Sequence, residues 1–311
     1  MRKFALSLAG IALALPLLAA APAQAQGPRV WVSGTGDDGS PTCSRTAPCR
    51  TFAIALSRTG PGGEINCLDA GEFGQVVISV SLTISCAAGT AAILAGNNFQ
   101  TGITVTAGAT DVVTLRGLDI DGQGSGMTGI DIFSARAVHI EKCTIRNVRA
   151  GGSGGAGIAI PLVASTVFLF VSDTVISDNS LGIALDSNGG FKVASLKNVT
   201  ISGSTFDGLN LFGSNVYVNV TKSVISGSGG SAVIAQSSGN TVNVDRSTIA
   251  NNAFGLSAAS GAIIRISGNN IYNNTTGFSF AGGAFIQTDT TNNAGGSNGG
   301  AQTPNASLAK N

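Results

Sequence analysis

The sequence is short of most of what active sites and nucleic-acid interfaces are built from. Charged residues make up 11% of the chain, under half of the ordinary ~25%, and aromatic residues only 5%. Lys+Arg number 17 against 16 Asp+Glu, so there is no basic surplus to neutralise phosphates, and nucleic acid is not expected as a partner. A single histidine, His139, rules out a multi-histidine metal centre and obliges any Ser-His-Asp arrangement to use it. With 8 prolines and no three-residue glycine period, collagen is excluded. A hydrophobic content of 43% at a net charge of +1 excludes disorder.

What the chain does have is glycine, 44 residues in 311, about twice the ordinary share. At its start, Arg2 and Lys3 precede an apolar stretch from Phe4 to Ala21, broken by Pro16 and followed by Ala23-Gln24-Ala25. The small-x-small ending reads as a secretory signal peptide, residues 1–25, cut near Ala25. The competing reading, a membrane anchor, is disfavoured by the proline and the cleavage-like end. No later stretch is long and apolar enough to span a bilayer. The expected location is therefore secreted or periplasmic, where disulfides persist.

From about residue 112 the chain repeats a phrase: an alternating apolar strand, a Thr/Val-Ile pair, a Gly/Asn/Ser turn, then glycine and an aliphatic residue. Copies include VVTLRGLDIDG, LFVSDTVISDNSLGIAL and VYVNVTKSVISGSGGSAVI. The anchoring isoleucines are Ile120, Ile145, Ile176, Ile201, Ile225, Ile249 and Ile271, with gaps of 25, 31, 25, 24, 24 and 22. Such periods belong to solenoids. Strand-like alternation of β-branched residues excludes helical repeats, and propeller blades need about 40 residues or more. Three short strands per coil fit.

The phrase (V/I)xIxxxxI(S/A)xNxxGI resembles the repeats of right-handed parallel β-helix proteins, the pectin-lyase-like group, over roughly residues 62–288. The run WVSGTGDDGSPTCSRTAPCRTFAIALSRTGPGGEINCLDAGEFG is similar to the start of secreted bacterial members of that group. The resemblance implies an all-β fold, a solenoid of about nine coils on the order of 45 Å long at ~4.8 Å per coil. It also implies an N-terminal cap region, residues 26–63, whose Thr51–Thr59 form a short capping helix with Phe52, Ala55 and Leu56 inward. The parallel β-helix is expected over residues 64–288 and a low-complexity polar tail over 289–311. The group includes lyases, hydrolases, phage spikes and non-enzymatic surface proteins, so it implies no single activity.

Five cysteines form an odd set. Cys43 and Cys49 bracket a short loop that a local disulfide can close. Cys67 and Cys86 share sequence context and lie 19 residues apart, about one coil, and stacked strands ~4.8 Å apart are within disulfide reach. The alternative is two stacked thiols. Cys143 reads as a buried free thiol.

Aligning the coils on the isoleucines gives an inward column, Leu115, Ile140, Val171, Leu196, Val220, Val244 and Ile266. The outward columns beside it are Arg116, Glu141, Ser172, Lys197, Thr221, Asp245, Ser267 and Thr114, His139, Phe170, Ser195, Asn219, Asn243, Arg265. Stacked neighbours then pair by charge: Arg116 with Glu141, Asp121 with Arg146, Lys142 with Asp173. Cross-strand opposite charges contribute ~0.2–1 kcal/mol each, a structural role that competes with a catalytic one. The carboxylate-based alternative uses Asp119, Asp121, Glu141 and Arg146 in a polysaccharide lyase or glycoside hydrolase. GxSxG matches at Gly151–Gly155 and Gly295–Gly299, and GxGxxG at Gly124–Gly129, lack the helix those motifs need. No metal site and no cofactor is expected.

The reading favoured is a non-catalytic binding or structural protein of the cell envelope or extracellular space, recognising an extended polysaccharide or an envelope protein. The ligand-binding candidates are His139, Phe170 and Lys142, with the glycine-rich stretch 149–157 expected as a rim beside them. A further expectation is self-association through an uncapped C-terminal end.

Overall fold

The computed structural model describes residues 29–87, 89–96, 100–150, 155–295 and 303–308. The expected signal peptide and the Gly151–Gly155 motif, apart from Gly155, lie outside them, as does most of the Gly295–Gly299 match. The chain winds as a parallel β-solenoid whose three sheets have 12, 9 and 10 strands. The coil number is close to the nine expected, and one short helix is present among the described residues. Each complete coil gives one strand to the twelve-stranded sheet, turns a corner into the ten-stranded sheet, turns again into the nine-stranded sheet, and returns.

The register follows from the isoleucine pattern. Leu115 pairs with Ile140, and Ile140 with Val171, each fully or nearly fully buried. Ile120, Ile145 and Ile176 stack likewise in the ten-stranded sheet. Because strand side chains alternate, fixing one buried column fixes the outward ones, and both outward columns fall in register as expected.

The corners explain the rest of the repeat. The glycine before each aliphatic residue sits where coils touch: a Cβ on Gly129 would lie 2.5 Å from the Gly157 carbonyl oxygen, and one on Gly182 2.3 Å from that of Gly208. At the other corners buried asparagines and serines point inward and saturate backbone groups. Asn252 accepts from the Ser228 amide at 2.9 Å and donates to the Ala250 carbonyl at 2.9 Å and to Asn274 at 2.9 Å. Ser247 accepts from the Ser223 amide, and Ser223 from the Val199 amide, both at 3.1 Å. The buried amides of Val199, Ser223 and Ser228 are thereby paired, as burial demands.

The first coil is closed by the helix Phe52–Arg58, N-capped by Thr51. Asp38 accepts from the Arg50 and Thr51 amides at 2.8 and 2.9 Å, holding the helix entry. Phe52 and Ala55 are fully buried and Leu56 partly. The cap region also supplies the strand Arg29–Val32, which pairs with Gly63–Cys67. Cys43–Cys49 and Cys67–Cys86 are disulfides, the latter joining stacked coils with Cα atoms 4.9 Å apart. Cys143 is free and buried, its Sγ 3.3 Å from the Glu141 carbonyl, where Thr174 in the next coil donates its hydroxyl to Ser172 at 2.8 Å.

The solenoid does not stop at Thr288. Asn293–Gly295 extends the ten-stranded sheet and Ala306–Ser307 the twelve-stranded one. Asn292 and Asn305 continue the capping pattern, accepting from the Asn269 and Ile286 amides at 2.9 and 2.8 Å. The polarity of this stretch, read as a tail, is in part that of inward corner residues.

Candidate functional site

The four residues considered for catalysis fall into two groups, on different sheets. On the ten-stranded sheet Arg146 reaches both carboxylates of the preceding coil, Asp119 at 3.1 Å and Asp121 at 2.6 Å. These contacts, Asp119 first, hold the Arg146 guanidinium above its ordinary pKa. On the twelve-stranded sheet, across the corner at Lys142–Cys143, Glu141 is held by Arg116 at 2.7 Å. The four residues considered for catalysis thus do not converge, and each carboxylate has an arginine. A glycosidase carboxyl pair flanks a gap left open for sugar or water; here the Arg146 guanidinium bridges Asp119 and Asp121 and fills that space.

Lys142 stands apart from the other ligand candidates. It occupies the corner itself with a left-handed backbone, φ 52°, three residues beyond His139 along the chain. Its expected ion pair with Asp173 does not form: Asp173 also turns a corner, φ 51°, and accepts instead from Asn198 Nδ2 at 2.6 Å.

His139 and Phe170 do meet. They are direct register partners on the outer face of the twelve-stranded sheet, with ring centroids 4.7 Å apart and planes inclined by 12°. Phe168 and Phe170 remain 38% and 40% exposed, so the stack leaves a ring face open. The next outward column, not considered in reading the sequence, adds Phe168 and, two coils further, Tyr217, which meets Phe191 at 6.1 Å. Its signal was present as alternation, FLF and YVN, in register with the column already identified. Of the stretch expected as a rim, 149–157, residues 151–154 lie outside the described residues, and Ala156–Ile160, which follows them, is a strand of the nine-stranded sheet. The loop that borders the aromatic strip is 161–166.

Beside this strip lies a cleft of about 520 Å³ lined by Ala109, Ser134, Arg136, Ser165, Thr166 and Phe168. A second cleft, about 540 Å³, lies between the capping helix and the nine-stranded sheet, with Leu56, Val77 and Thr104 among its lining residues.

Residues 159–307 match the family model described as "Right handed beta helix region". Over most of the chain, solved structures have the same architecture. Pectate lyase Pel9A superposes with a TM-score of 0.55 at 14% identity, covering 86% of this chain and 78% of that one. The Dettilon tailspike protein gives 0.53 at 13% identity, covering 84% of this chain but only 62% of its own length. This protein is a right-handed parallel β-helix. No curated protein sequence matches it, and at these identities the likeness is one of fold alone.

In this β-helix one carboxylate stands out that sequence reading passed over. Asp131 lies outward on the nine-stranded sheet, between Thr104 and Ala159 in register. Its Oδ1 is buried without a hydrogen-bond partner, and burial pushes the carboxyl up to about 6. Its direct neighbours offer no second carboxylate to complete an acid–base pair. Among the described residues the β-helix holds no cluster of three or more potential metal ligands, and no helix long and apolar enough to cross a membrane.

Proposed function

We propose that this β-helix is an exported protein of the envelope or extracellular space that holds an extended glycan on the outer face of its twelve-stranded sheet without cleaving it. The observation that carries this reading is the outward aromatic column, the half-buried His139 stacked on exposed Phe170, with exposed Phe168 beside them and exposed Tyr217 two coils further. Flat apolar rings stack on the apolar faces of pyranose rings, and a site for a sugar combines such surfaces with a few polar groups. The strand spacing of ~4.8 Å is close to the length of one pyranose unit, so a linear glycan can keep step with the coils. Two disulfides favour an oxidising compartment. The non-catalytic part of the reading is supported by the arginines that occupy Asp119, Asp121 and Glu141.

The test is a glycan-array screen of the mature protein and of a double variant, His139→Ala with Phe170→Ala, alongside assays for new reducing ends and unsaturated products. Binding present in the parent and lost in the double variant, at an unchanged melting temperature, is the expected result. Depolymerisation by the parent, abolished by Asp121→Asn, would establish the lyase or hydrolase reading in its place.

A further inference from the structure

The connections from the nine-stranded to the twelve-stranded sheet differ in length, and the difference makes a notch. Successive coils connect through 107–111, then 135–136, then 161–166. A short connection between two longer ones leaves a gap one coil wide, and this is the cleft of about 520 Å³ with Arg136 among its lining residues.

The far wall of the notch is braced. Ser165 donates to the Phe133 carbonyl at 2.8 Å, crossing back to the preceding coil. Lys192, fully buried, donates from Nζ to the Val163 carbonyl at 2.9 Å and to that of Ser165. A buried ammonium is costly unless its donors are used, and here they hold the 161–166 loop in place. The near wall is fixed as well: Asp111 accepts from Ser81 at 2.6 Å and from the Gly108 amide at 2.8 Å, and its carbonyl accepts from the Arg136 amide at 2.9 Å. Asp111 is thereby engaged, and among the described residues Arg136 makes no ion pair. The Phe168 amide donates to the Arg136 carbonyl at 3.1 Å, which ties the two backbones together, and both residues line the notch.

The geometry points to the notch as a subsite for an acidic substituent, a carboxylate or sulfate, on a sugar whose ring lies on Phe168. Arg136 supplies a planar fork of N–H donors suited to such anions. Ser134, Ser165 and Thr166 supply neutral hydroxyls, and Phe168 the apolar face. This inference rests on the glycan-binding reading above and deepens it by naming the class of glycan.

The experiment measures binding of three oligosaccharide series matched in length, neutral, uronate-bearing and sulfated, to the parent, to Arg136→Gln and to Arg136→Lys. An acidic series is expected to bind the parent at least tenfold more tightly than the neutral one. Arg136→Gln should remove that preference while leaving neutral binding unchanged, and Arg136→Lys should retain most of it. Which acidic series responds identifies the anion. Equal binding of acidic and neutral series, unmoved by Arg136→Gln, would overturn the acidic subsite and leave the glycan-binding reading standing. Absence of binding in every series, with the fold intact, would overturn both.

Discussion

At the scale of single residues, Asp131 is the clearest departure from the rule that buried polar groups are paired. Its carboxyl is raised to about 6 by burial, so the folded state favours the protonated form. Between roughly pH 4 and 6 the folded protein binds more protons here than the unfolded chain, and stability falls as pH rises through that window. The cost is fully present above about pH 6 and absent below the unfolded carboxylate range. Asp131→Asn is therefore expected to raise stability at pH 7.5 by about 1–2 kcal/mol, discounted for partial exposure, and to change little at pH 3.5; thermal melts at both pH values check this. Gly182 makes the opposite point. Its hydrogen is all that fits against Gly208, so Gly182→Ala should destabilise by ~1–3 kcal/mol, read as a lower midpoint in denaturant unfolding.

At the scale of elements, the corners hold the solenoid together as much as the strands do. Asn252→Ala would leave the buried Ser228 amide without its acceptor and take from the Ala250 carbonyl one of its two donors, the Gly227 amide remaining. Leaving a buried amide unpaired costs about 1–3 kcal/mol, so a loss of about that size is expected, read as a lower midpoint in denaturant unfolding. The disulfides work at the same scale. Cys67–Cys86 closes a loop of 19 residues between stacked coils, worth ~3 kcal/mol in the chain-entropy picture. Non-reducing peptide maps should return Cys43–Cys49 and Cys67–Cys86. Cys143, its thiol pushed up to about 11 by burial, should be alkylated only after unfolding.

For the whole molecule, each coil contacts only its neighbours, so the ends decide solubility and association. The N-terminal end is covered by the capping helix and its Phe52–Phe73 contact at 5.1 Å. Towards the C-terminus, Ala306–Ser307 covers part of the strand Phe285–Thr288, and Asn305 accepts from the Ile286 amide. Truncation after Thr288 removes both and uncovers strand edges. The truncated chain is expected to melt a few degrees lower and to self-associate at concentrations where the full chain does not, as read by sedimentation velocity. Equal sedimentation of the two forms would show that this segment does not protect the end.

The sequence by itself determined the coil. Once isoleucines recur every 22 to 31 residues with strict alternation before them, only one face of each strand can be buried, and the outward columns follow, His139 over Phe170 among them. Stacked cysteines one coil apart were legible for the same reason. What only the tertiary structure decided lies where the period breaks or where a side chain chooses between neighbours. Arg146 takes both Asp119 and Asp121 because its fork spans two outward positions of one strand. Lys142 and Asp173 occupy equivalent left-handed corners yet do not pair, Asp173 being taken by Asn198 of the next coil. Asn274 lies in a polar turn segment yet is 1% exposed and donates to the Ile249 carbonyl, since polarity alone does not say whether an amide faces water or a neighbouring coil's backbone. The notch at Arg136 exists only as a difference between connections on three successive coils, a quantity that no local pattern contains.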